Sequence, residues 1–161
     1  MKLIPVKVHS LGLDAANNVP VVLLKDESSN RALPIWIGPA EAAAISQVID
    51  KVAVERPMTH DLIKSILDGL GVTLEKVAVT GLVNGTFLAQ LFLKSHGRYV
   101  TVDARPSDSI ALALRCGAPI FADQELFGQG RSVEPGGDEE DDDLAGRLKK
   151  MRPEDFGTAK T

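Results

Sequence analysis

The chain has 161 residues, of which 44% are apolar, 25% charged and 4% aromatic, with one cysteine and a formal net charge of −4. That length supports one domain with a proper core, while the scarcity of aromatics argues against a stacking platform for single-stranded nucleic acid and the lone Cys116 rules out an internal disulfide or a multi-cysteine zinc site. Residues 1–129 carry 12 basic against 13 acidic groups, so the body lacks the basic excess of a general nucleic-acid binder, and no apolar run approaches the 18 residues of a membrane span.

Lys2 to Leu13 alternates apolar and polar residues and reads as a first strand, not a leader, which makes a cytoplasmic protein the expectation. The turn cluster Asp14 to Asn18 ends it. Val19 to Lys25 and Arg31 to Ile37 are the next two strands, joined by the polar turn DESSN into a hairpin. Gly38-Pro39 breaks the third strand, and Pro39 to about Val54 forms a helix whose Ala42, Ala43 and Ala44 allow close packing on the sheet. Pro57 interrupts the chain again. A second helix follows, with Thr59 as N-cap, Asp61 in its first turn and Gly71 at its end. Leu74 to Thr80 and Thr86 to Lys94 are strands flanking the hairpin turn Asn84-Gly85.

The stretch Arg98 to Gly117 organises the rest. A strand through Tyr99, Val100, Thr101 and Val102 runs into a helix opened by Pro106, with Asp103, Arg105 and Asp108 gathered at the junction. Free helix N–H groups and side chains converge at such places. Laying Arg31 on Arg98 sets Pro39 on Pro106, Glu41 on Asp108 and Ile35 on Val102 at one offset of 67 residues, the mark of an internally duplicated strand-strand-helix unit. Ala118 to Phe121 is a short closing strand and Asp123 to Phe127 a helical turn. The expected fold is α+β: a mixed, half-barrel-like sheet with helices packed on it.

From Gly128 the composition changes to Gly, Pro and a block of acids, GQGRSVEPGGDEEDDD, which cannot bury enough apolar surface to order itself. Leu144, Leu148 and Met151 then recur at helical spacing. The chain thus divides into a domain over 1–129 and an acidic linker with a short amphipathic segment over 130–161. Two readings of the tail stand side by side: a segment that docks or engages a protein partner, and a solvated disordered tail.

Three motifs, LPIWIGPAE (Leu33 to Glu41), RPMTHDL (Arg56 to Leu62) and VDARPSDSIA (Val102 to Ala111), in this order and spacing resemble the bifunctional nuclease family, over roughly residues 3–127. The resemblance implies a duplicated mixed α/β domain and hydrolysis of phosphodiester bonds in DNA and RNA. Such a nuclease needs carboxylates on a divalent ion, a proton-transfer group and a cation for the phosphate. On that implication Glu41, Asp61, Asp103 and Asp108 are candidate ligands for magnesium or manganese. His60, Asp103, Arg105 and Asp108 are the candidate catalytic set, with His60 as acid or base, and Arg56 and Arg105 clamp the phosphate.

Each of these residues also has a structural explanation. Glu41 and Asp108, two residues after a helix-opening proline, favour the helix dipole as ordinary first-turn acids, and Asp103 and Arg105 can pair with each other. The competing function is therefore a non-catalytic, homo-oligomeric module that binds an anion or a protein. Homo-oligomerisation is expected because a sheet of this many apolar strands must cover its edges. No Gly-rich phosphate loop, GxSxG elbow, HExxH or dinucleotide fingerprint is present.

Overall fold

The structure, a computed structural model, describes residues 1–129, and the linker and amphipathic segment expected over 130–161 lie outside them. In chain order the elements are β1 (Leu3–Leu13), β2 (Pro20–Asp26), β3 (Ala32–Trp36), α1 (Pro39–Ile49), α2 (Thr59–Gly69), β4 (Val72–Val83), β5 (Thr86–Ser95), β6 (Arg98–Ala104), α3 (Pro106–Cys116), β7 (Ile120–Asp123) and α4 (Leu126–Gln129). The strands form a single mixed sheet in the order β3-β2-β1-β7-β4-β5-β6. It is open, not curled into a barrel, and the helices pack on it as an α+β domain.

The order reads the same outward from β7 in both directions, with three strands on each side. β7 runs antiparallel to β1 and parallel to β4, so β1 and β4 run oppositely, as a two-fold axis through the sheet requires. α1 and α3 keep the 67-residue offset at both ends. The repeat is larger than the sequence pattern showed: β1 and β4 belong to it, making each unit three strands and a helix. The units meet where α1 packs on α3. Along β2 every second residue from Pro20 to Asp26 is buried, the period-two pattern of a sheet with one well-covered face. Val22, Leu24, Leu33, Ile35, Ala42 and Ile45 of the first unit share one core with Val77, Val79, Ile110 and Leu112 of the second.

Two helix boundaries differ from expectation. α1 stops at Ile49, short of Val54, because Lys51 adopts a left-handed φ of 52° and the Val52 N–H turns back to the Gln47 carbonyl at 2.9 Å. That is the six-to-one bond of a Schellman stop, and β-branched Val52 and Val54 do nothing to oppose it. α2 begins one residue early, with Met58 as N-cap and Thr59 already helical. Asp61 decides this: its Oδ2 accepts the Met58 N–H at 2.9 Å, satisfying a donor that the helix start leaves free.

Candidate functional site

The starts of α1, α2 and α3 supply the polar cluster. Pro39 and Pro106 each open a helix, and each is followed two residues later by an acid, Glu41 or Asp108. Between the two acids lies Arg105, the N-cap of α3. Its Nε donates to Asp108 Oδ2 at 2.8 Å, and its Nη1 stands 3.0 Å from Glu41 Oε1. The other Asp108 oxygen, Oδ1, meets His60 Nε2 of α2 at 2.9 Å. His60 is buried, and its Nε2 is the ring nitrogen that bonds another described residue. Arg105 remains 64% exposed.

A guanidinium at a helix N-terminus runs against the helix macrodipole. Glu41 and Asp108 hold it there. Burial would push the Asp108 carboxyl upward, but hydrogen bonds from Arg105 and His60, together with their charges, outweigh it and leave the group below the ordinary carboxylate value. Arg105 is correspondingly raised, chiefly by its bond to Asp108. The result is an ionised acid bridging an imidazole and a solvent-facing guanidinium. Such an arrangement can orient a proton-transfer group and receive a phosphate.

The remaining predicted residues lie elsewhere. Asp61 is engaged instead by Arg115, whose Nε donates to its Oδ1 at 2.8 Å. The Met58 N–H and then Arg115 hold the Asp61 carboxyl below its usual value. Asp103 sits on β6, exposed, where strand alternation aims it to the face opposite Val102. It joins neither Arg105 nor the acids. Arg56 is exposed in the α1–α2 connection, and no hydrogen bond or ion pair holds it to another described residue. Among the described residues no three His, Cys, Asp or Glu side chains converge in a metal-holding group. The donor set thus does not fit a preformed divalent centre, because Glu41, Asp61 and Asp108 each spend oxygens on an arginine.

Sequence reasoning missed Arg115. Its side chain is 5% exposed and makes three bonds: to Asp61, to the Ala111 carbonyl at 2.9 Å and to the Ala44 carbonyl at 3.0 Å. It therefore ties α1, α2 and α3 together behind the cluster. The signal was present as a lone cation in the apolar run of ALALRCG. Asp26 was missed as well. Buried in the β2–β3 turn, it accepts from Ser28, Ser29 and Arg31, and the Ser29 hydroxyl at 2.6 Å leads the bonds that lower its pKa.

A family model described as the bifunctional nuclease domain matches residues 22–134. An uncharacterized protein of Mycobacterium tuberculosis is 39% identical over 151 residues, which span 94% of this chain and 89% of that protein. Bifunctional nuclease 2 of Oryza sativa subsp. japonica is 31% identical over 127 residues, 76% of this chain and 39% of that protein. Bifunctional nuclease 1 of Arabidopsis thaliana is 31% identical over 116 residues, 70% and 36% of the two chains. The chain therefore spans little more than a third of the length of these two plant proteins.

Proposed function

The chain belongs to the bifunctional nuclease domain family, and on that premise we propose that it hydrolyses phosphodiester bonds of DNA or RNA at the His60–Asp108–Arg105 cluster. One observation carries the reading: Asp108 fixes His60 with one oxygen and a solvent-facing Arg105 with the other. Arg105 and the first N–H groups of α3 would bind a phosphate. His60, oriented through Nε2, would exchange a proton at Nδ1. No helix of the described residues is long and apolar enough to cross a membrane.

A second reading is favoured by the way the carboxylates are spent. Glu41, Asp61 and Asp108 are each engaged by an arginine, and no metal-holding group forms among the described residues. On this reading the same Arg105 captures an anionic backbone without cutting it.

Cleavage of labelled single- and double-stranded DNA and RNA by the purified chain, with magnesium, manganese or EDTA, separates the two. Asp108→Asn and His60→Gln, checked for folding, should lower cleavage by about 100-fold or more if the cluster acts as acid or base. Equal cleavage by folded variants and parent would overturn the assignment of the site. Retention of labelled nucleic acid without cleavage, lost in Arg105→Gln, would establish the binding module instead.

A further inference from the structure

The helices leave one face of the sheet bare. Residues of α1, α3 and α4 enter a single core cluster and Ile63 and Leu67 of α2 pack against it, so all four helices lie on one side. Strand alternation sends the residues between the core positions to the other side. Lys7 falls between Val6 and Val8, Lys25 between Leu24 and Asp26, and Phe121 between Ile120 and Ala122. Phe92 and Lys94 flank Leu93, with Lys76 paired to Phe92 after a bulge in β4, and Tyr99 and Thr101 of β6 paired to Lys94 and Phe92. The chain has few aromatic residues, yet Phe92, Tyr99 and Phe121 share this face with four lysines.

Val6, Ile120 and Val77 make one row across β1, β7 and β4. Lys7 and Lys76 are the next step from that row in the same direction, and Lys25 lies directly opposite Lys7. Three lysines therefore stand in a line across the sheet, about 5 Å and about 10 Å apart by the spacing of neighbouring strands. Lysines set opposite one another repel. Glu27 engages Lys7, but no ion pair with a described residue neutralises Lys25 or Lys76. Beyond them the line runs into rings. The Lys76 ammonium stands 4.7 Å from the centre of the Phe92 ring and 5.4 Å from that of Phe121. Lys94 stands 5.5 Å from that of Tyr99, which is 71% exposed. We propose that this face holds a single-stranded nucleic acid, with phosphates over Lys25, Lys7 and Lys76 and unpaired bases on Tyr99 and Phe92. A duplex hides the faces of its bases, so the rings select a single strand. Glu75 and Asp103 are exposed beside the path and keep the grip to a few phosphates. The inference rests on the nucleic-acid reading above but not on cleavage, since the His60–Asp108–Arg105 cluster lies among the helices on the opposite side.

Fluorescence anisotropy of labelled single-stranded DNA and RNA and of the matching duplexes, titrated with the full chain in EDTA, reads binding apart from cleavage. Single strands should bind about 10-fold more tightly than duplexes, with a slope of log K against log salt near about −2 for three phosphates. Lys7→Gln and Lys76→Gln, both surface changes, should each flatten that slope by about 0.7. Tyr99→Ala should weaken single-strand binding about 10-fold and leave the slope alone. No binding, equal affinity for single strands and duplexes, or a slope indifferent to both lysine variants would overturn the proposal. So would binding that Arg105→Gln abolishes while Lys7→Gln, Lys76→Gln and Tyr99→Ala keep the affinity of the parent, which places the grip at the helix starts. Binding as expected without any cleavage would support this surface and overturn the nuclease reading alone.

Discussion

The two strand-Pro-helix junctions descend from one pattern and now do different work. In the first, Gly38 precedes Pro39, and the Glu41 carboxylate folds back into the space that a Cβ on residue 38 would fill. In the second, Arg105 holds the equivalent place and its guanidinium reaches across to that same Glu41. One junction lends an acid; the other adds a cation, an acid and, through Asp108, the imidazole of α2. A duplicated scaffold thus yields one asymmetric cluster, because a single change at the residue before proline decides which copy carries the positive charge.

The largest effect on this asymmetry should come from Arg115, which holds all three helices in place from behind. Arg115→Met strands the Asp61 carboxylate and removes the side-chain bonds to the Ala44 and Ala111 carbonyls, and should cost about 3 kcal/mol in urea unfolding. Next, Asp108→Asn should cost about 1 kcal/mol, since the group is partly exposed and two partners survive it. Glu41→Gln should cost only about 0.5 kcal/mol, with the exposed Arg105 free to hydrate. Equal losses at Glu41 and Asp108 would mean that the two junctions contribute alike.

Acid titration sharpens the same contrast. Asp61 and Asp108 are both held below the ordinary value of 3.8 in the folded chain. Their contribution is therefore complete above that value and is lost as the pH falls below it through their folded values. Urea midpoints measured from pH 6 to pH 3 should fall less steeply in Asp108→Asn than in the parent. The smallest effect is expected at Gly38→Ala, where the new methyl meets only the movable end of Glu41. Thermal unfolding should shift by less than about 0.5 kcal/mol, while a double-mutant cycle with Glu41→Gln should show coupling, because both changes break the same contact with Arg105.

Most elements were legible in the sequence because they rest on local chemistry. The alternation of β1, the turn at Asn84-Gly85, the prolines at 39 and 106 and the glycine at 71 act within a few residues, and each sits where the pattern placed it. The 67-residue offset between α1 and α3 was equally plain. Partner choice among charges was not. Asp61, Asp103 and Asp108 look alike in a string of letters, yet the first is spent on Arg115, the second lies exposed on an edge strand without an ion pair to another described residue and the third joins His60 and Arg105. Those pairings span 48 and 54 residues of chain and depend on how three helices pack over one sheet. Backbone conformation answers to near neighbours; a carboxylate answers to whichever cation the fold delivers within about 3 Å, and only the tertiary structure settles that.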